Sequence, residues 1–382
     1  MTRPWRIALL AGLAVLIVGC GSPSGHRPTA SAAPPPPLSL ATSTAMSGTT
    51  WAVVPMGAAS GPNLFWQLFA LSQPGQRWSL ATPPDIATNG ALVLASPGGQ
   101  ALTVGIRPSL YLDFSPVTVT RDHGHSWTTL PPEPGLADLP DALAATADGQ
   151  VIAIGRGGQV SQYHQGASGW TGLTSQRSLA TSPAGRRCGL TALTAAAYTP
   201  AGAPLLAGTC SRPGQPGIFV RTGDTWTAAV TALPAWLGGQ RVRVLRLTMT
   251  GSLDIALLEA GAGSTASVLI AASTDGSHWT LSATSGLVGR QVISASFGAG
   301  GGVAVVLTGG RAETISGPSS SWRTLPPVPP GQTVTLALAG PGTVDALAAD
   351  GSTMMAWQLT PGTAAWTREQ VIKVPIQYGS SS

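Results

Sequence analysis

Tryptophan recurs along this chain in one local setting, a polar turn containing Gly or Ser, then Trp, then a short β-prone run. The positions are Trp78, Trp127, Trp170, Trp226, Trp279, Trp322 and Trp366, spaced 49, 43, 56, 53, 43 and 44 residues apart. Repeats of roughly 20–50 residues belong to propellers and solenoids, where one small unit cannot bury its own apolar face and must stack on its neighbours. Between successive tryptophans lie three further runs of β-formers, such as Ala142 to Thr146, Val151 to Gly155 and Gln159 to His164 ahead of Trp170. Each unit therefore predicts four strands. Turn chemistry separates the first two runs in most units, as in Asp148-Gly149, Pro200-Ala201-Gly202, Gly251-Ser252 and Gly340-Pro341-Gly342. These residues supply the backbone angles that tight hairpins need. Seven such units predict an all-β fold, a seven-bladed β-propeller of four-stranded antiparallel blades over residues 38–376. Ring closure then leaves few strand edges open. No helical period long enough for crossover connections appears, and only 9% charged residues with 49 Gly and 33 Pro argue against a helical bundle. Two ring closures stay open: within the last unit, or by the segment Leu38 to Ala45 pairing with the end near Arg368 to Ile376.

The N-terminus reads as an export signal. Arg3 and Arg6 precede an apolar run from Ile7 to Val18, too short to span a bilayer permanently. Ile17-Val18-Gly19-Cys20 resembles the lipobox of bacterial lipoproteins. That resemblance implies that 1–19 is a lipoprotein signal peptide and that Cys20 becomes the first mature residue, carrying palmitate-type acyl chains. Each buried methylene contributes about 0.8 kcal/mol to anchoring, so two or three chains hold durably. The protein is then expected on the cell membrane, lipid-anchored at the extracytoplasmic face. Residues 20–37, rich in Pro, Ser and Gly, read as a tether, and 377–382 as a disordered tail. In an exported chain the remaining pair, Cys188 and Cys210, favours a disulfide. Their midpoint falls in the Tyr198 to Gly202 turn, which places Cys188 at the start of the first strand of unit four, opposite Cys210 at the end of the second. Of the 20 basic residues two lie in the leader, leaving 18 against 15 acidic ones, a net charge of +3. That is too weak for nucleic acid.

Thr120-Arg-Asp122-His-Gly124-His-Ser-Trp127 resembles the Asp-box, or bacterial neuraminidase repeat, of pattern Ser/Thr-x-Asp-x-Gly-x-x-Trp. Ser273-Thr-Asp275-Gly276-Ser-His-Trp279 looks like a form shortened by one residue. The other five units keep Trp and a polar turn without the Asp-Gly centre. The resemblance implies a folding device, in which the Asp carboxylate accepts backbone N–H groups across the turn between third and fourth strands and Trp packs between blades. Propellers with this repeat include sialidases, sortilin-like receptors and photosystem II assembly factors.

Catalysis finds little raw material. A sialidase-like glycoside hydrolase acting on acidic glycans is the alternative reading, and it would need an arginine triad, a Tyr nucleophile with its Glu, and an Asp acid/base. The four glutamates (Glu133, Glu259, Glu313, Glu369) and four tyrosines (Tyr111, Tyr163, Tyr198, Tyr378) match no such setting, so no catalytic residue is assigned. His123 and His125 read as solvated turn residues, and neither a metal site nor a cofactor is expected. In a propeller, loops from second to third strands share one face with those between blades. Arg107, Arg156, Arg212 and Arg311 fall in the first class, and Arg186, Arg187, Arg241 and Arg290 in the second. Asp85, Glu133, Asp138, Asp141, Glu259 and Asp350 partly offset them. With Trp236, on the long connection Ala228 to Arg241, these arginines form a candidate binding face for an anionic partner. The reading is a monomeric, membrane-anchored, non-catalytic platform for an envelope protein or an anionic glycan.

Overall fold

The computed structural model describes residues 39–43, 48–57, 65–84, 91–98, 101–106, 115–133, 139–231, 235–286, 288–331 and 333–375. All lie in the second of two compact units, Pro37–Ser382. The expected signal peptide, Cys20, tether, C-terminal tail and Arg107 lie outside the described residues.

Among the described residues, seven consecutive groups of four antiparallel strands dominate the structure. The first comprises Ser39–Ser43, Thr50–Met56, Phe65–Leu71 and Ser79–Leu80. The others span 92–129, 142–175, 190–228, 242–281, 292–324 and 333–373. The third group shows why the sequence folds this way. Val151–Ile154 is buried on both faces and pairs with Ala142–Ala145 on one side and Gln159–Tyr163 on the other. Gly149, at φ 84°, turns the first hairpin in the left-handed region that glycine enters without strain. Fourth strands such as Ser79–Leu80, Thr128–Thr129 and Arg323–Thr324 are short and exposed, which blunts the outer edge.

The core is laid between the groups. Trp78, Ala52 and Phe69 of the first pack with Leu347 and Met354 of the seventh. Val93 and Val119 of the second meet Val151 of the third, Ile152 of the third meets Leu206 of the fourth, and Leu205 of the fourth meets Leu258 of the fifth. Val306 of the sixth meets Leu336 of the seventh. One cluster includes residues of the first, second, fifth and sixth groups, among them Leu68, Leu102, Ile270 and Val305. Every group thus shares an apolar cluster with the next, and the seventh with the first.

The repeated tryptophans fix these seams. The indole N–H of Trp170 donates to Pro131 O at 2.9 Å, that of Trp322 to Ala283 O at 2.9 Å and that of Trp366 to Pro326 O at 3.4 Å, each a carbonyl just past the preceding group. Trp78 does the same across the ends of the chain: its indole N–H donates to Asp345 Oδ2 at 2.9 Å, and its backbone exchanges two hydrogen bonds with the Gln370 amide at 2.9 and 2.8 Å. The last strand, Thr367–Lys373, pairs with Thr353–Leu359, while Ser39–Ser43 pairs with Thr50–Met56 and, in parallel, with Val292–Phe297. The seventh group is therefore complete from the C-terminal sequence, and the N-terminal strand does not pair with the C-terminal one.

Two features differ from the sequence reading. Between the third and fourth groups lie two short helices, α1 (Gln176–Thr181) and α2 (Pro183–Cys188), capped by the hydroxyls of Ser175 and Ser182. Cys188 is the last residue of α2 rather than the first of a strand. Its disulfide to Cys210 therefore ties a helix end to the close of Pro204–Cys210, and it is Leu190 that pairs with Cys210 in register. Gly189, at φ 68°, makes the turn between helix and strand.

Candidate functional site

Strand direction alternates within each group, so connections from second to third strands leave the sheets at the same end as the segments between groups. Arg186 and Arg187 sit on α2, Arg212 follows the second strand of group four, and Arg241 and Arg290 precede inner strands; all but the half-buried Arg290 are exposed. Arg212 Nη1 donates to Arg187 O at 3.1 Å, tying two of these connections together. Arg290 Nη1 donates to Thr308 O at 2.7 Å. Arg156 and Arg311 are exposed at the corresponding places in groups three and six. The helices add Arg177, which the sequence reading missed because α1 is short; its signal was Ser175 as cap with Ser182-Pro183 opening the next turn. Trp236 lies in a 3-10 turn, Ala235–Leu237, and its side chain is outside the described residues, as are Asp85 and Asp138.

The acidic residues at this end offset part of that charge. Glu259 is buried and paired with Arg243 at 3.1 Å. Glu133 accepts from Ser161 Oγ at 3.5 Å, and Asp141 and Asp350 are exposed. The opposite end carries Asp122, Asp148, Asp224 and Asp275 in its turns, with Asp254 and Asp345 just inside. Arg77, Arg121 and Arg221 lie at this end too, Arg221 paired with Asp224 at 3.2 Å, so the two ends differ in the excess of arginine at the first and not in a full separation of charge.

The two aspartate turns are locally satisfied. Asp122 Oδ1 accepts from Thr120 Oγ1 at 2.8 Å and Ser126 N at 2.9 Å, while Thr120 Oγ1 accepts from Gly124 N at 3.0 Å. These bonds hold the Asp122 carboxyl down at about 2. Asp275 Oδ1 accepts from Ser277 N and His278 N at 2.7 and 2.8 Å, which together with the His278 side chain lowers its pKa well below the carboxylate range. Trp279 is 3% exposed and its indole donates to Gly276 O at 2.8 Å. Every hydrogen-bond partner of the two carboxylates lies within four residues, so these turns are built for folding. His123 Nδ1 bonds with Thr49 Oγ1 and His125 Nδ1 with Asp122 O. Among the described residues no cluster of three or more His, Cys, Asp or Glu has metal-binding geometry.

Inner strands of groups two to six enclose a cavity of about 50 Å³, lined by apolar residues such as Leu94, Leu143 and Phe297 together with Ser96, Tyr198, Thr248 and Arg246. Among the described residues Arg246 is the only charged side chain on that wall. Its Nη1 donates to Leu245 O at 2.9 Å, but Nε and Nη2 are sealed from solvent without a partner. Burial pulls this guanidinium down to about 10. A bulge between Val244 and Arg246 flips the alternation here, returning Leu247 to the side that buries Val242 and Val244. Asp254 is 0% exposed and neither carboxylate oxygen has a partner. Burial, with the charge of Asp275 adding to it, pushes its pKa up to about 8. Both groups escape a sequence reading: Arg246 because a bulge reverses its side, Asp254 because it is one of two acidic residues, with Glu259, in the otherwise apolar run Leu253–Ala260 and nothing in the sequence says which of them is paired.

No family model matches the chain, and no curated protein matches it. Solved structures do. YCF48 from Cyanidioschyzon merolae is 13% identical with a TM-score of 0.50, over 85% of this chain and 95% of that one. The periplasmic gluconolactonase PpgL of Pseudomonas aeruginosa is 14% identical with a TM-score of 0.51, over 84% and 95%. At these identities the likeness establishes the fold alone, and that fold is a β-propeller.

Proposed function

We propose that this chain is a lipid-anchored, extracytoplasmic propeller of seven Asp-box-type blades that acts as a non-catalytic binding or assembly platform for an anionic protein or glycan of the cell envelope. The observation that carries the reading is the concentration of arginine at one end, where Arg156, Arg177, Arg186, Arg187, Arg212, Arg241, Arg290 and Arg311 outnumber the acidic residues beside them. Basic loops on a rigid scaffold raise the encounter rate with anionic surfaces and fix which end docks. The unbroken circuit of apolar interfaces supports the seven-bladed ring, and the local bonding of Asp122 and Asp275 supports the Asp-box reading. The likeness of Ile17 to Cys20 to a lipobox is what supports the membrane anchor in this reading.

Two variants test the two halves separately. Cys20→Ala should release the protein from the membrane fraction, and unchanged retention would refute the anchor. The combined reversal Arg186→Glu, Arg187→Glu, Arg212→Glu and Arg241→Glu should abolish capture of envelope components by the purified protein, while its far-UV circular dichroism shows that the chain stays folded. Equal capture by both forms would refute the basic docking face.

A further inference from the structure

A second cavity lies far from the basic connections, between groups two and three at the acidic end, and measures about 210 Å³. Ala101, Ala145 and Ala147 contribute only small side chains to its lining. Its apolar wall is built by Val119, Leu130 and Val151, while Thr103, Thr128, Tyr163, Gln165 and Arg121 supply polar groups.

Those polar groups are poised but unused. Among the described residues none bonds the Arg121 guanidinium or the hydroxyls of Thr103 and Tyr163, though Thr103 is 2% and Tyr163 8% exposed. Thr103 and Tyr163 hydroxyls are moreover absent from the sealed, partnerless atoms, so they meet open space in the cavity. Gly149 gathers the mouth. A Cβ on it would sit 2.6 Å from Gln165 Oε1 and 2.9 Å from Arg121 Nη2, so amide and guanidinium both come up against its bare backbone, which holds a φ of 84°.

We propose that this notch binds a small hydroxylated monocarboxylate of the sugar-acid class, either free or as the exposed end of a chain. A single unpaired guanidinium at the mouth matches one carboxylate, which it grips through parallel N–H groups. Tyrosine and threonine hydroxyls and one amide exchange hydrogen bonds with ligand hydroxyls, and the Val119, Leu130 and Val151 wall covers a C–H face. The volume lies below the roughly 300–1,000 Å³ of sites for drug-sized ligands, which limits the occupant to about one sugar unit.

Calorimetric titration of the purified full chain with glucuronate, glucose and acetate tests the assignment. Glucuronate should bind saturably at one site, with glucose and acetate at least about tenfold weaker, because each lacks half of the matching chemistry. Arg121→Gln, an exposed substitution that leaves the fold intact, should weaken glucuronate about tenfold or more, and Thr103→Val should weaken it severalfold. The fourfold reversal at the basic end should leave this binding unchanged. Glucose binding as well as glucuronate, an unaffected Arg121→Gln protein, or no saturable heat with glucuronate would each overturn the proposal.

Discussion

Asp254 makes the stability of this propeller depend on pH in an unusual direction. It is fully buried, lacks any partner for either oxygen, and titrates at about 8 in the folded chain. An aspartate in an unfolded chain titrates near 3.9. Folding therefore binds a proton across the window between those values, and the native state loses stability as pH rises through it. The contribution is intact below about pH 4 and gone above about pH 8. At about 1.4 kcal/mol per pH unit, the stability surrendered is about 4 kcal/mol by pH 7. Asp254→Asn keeps the shape and cannot ionise. Its amide adds a constant offset from its own unpaired donor, so the quantity to read is the change with pH rather than the absolute difference. Urea unfolding of both proteins at intervals from pH 4 to pH 8 should show the variant gaining on the parent by about 4 kcal/mol between pH 4 and pH 7. Parallel pH profiles would refute the reasoning, and so would a gap that narrows as pH rises. Asp345 is the internal contrast: it is also buried and its pKa is also raised, but Trp78 and Gln358 donate to it, so Asp345→Asn should destabilise at neutral pH.

Arg246 should behave as a stability liability as well. Replacing it by Met removes two sealed, partnerless donors and should stabilise the protein by about 1–3 kcal/mol in urea unfolding, whereas a loss of that size would show that the guanidinium holds the inner strands together. The Cys188–Cys210 disulfide closes a 22-residue separation and should contribute about 3 kcal/mol in the chain-entropy model. Cys188→Ser with Cys210→Ser should lower the melting temperature and raise hydrogen exchange first in α1 and α2, and unchanged exchange there would argue that the helices hold without it.

Much of the architecture was legible because it is periodic. A buried or half-buried tryptophan at each seam leaves a mark that survives the loss of the Asp-Gly centre in five of seven units, and glycine-rich hairpin turns mark strand ends. Local irregularities were not legible. α1 and α2 are six residues each, too short for a helical period to register, and they moved Cys188 off the strand where its spacing to Cys210 had placed it. The arginines of the basic end could be assigned to connections once the strand order was known. Arg246 and Asp254 could not, because a bulge and a lack of partners are properties of the folded chain. The Arg121 notch was invisible for a different reason: its lining comes from two different groups that only the folded chain brings together.

The central claim is that the arginine-bearing connections, and not the aspartate turns, form the docking surface. Hydrogen exchange of the purified chain, measured alone and with detergent-solubilised envelope from cells lacking it, tests this most directly. The account predicts protection confined to segments around 176–189, 211–216 and 235–241. Protection at the turns 121–127, 147–149 and 274–277 instead, or none at either end, would contradict it.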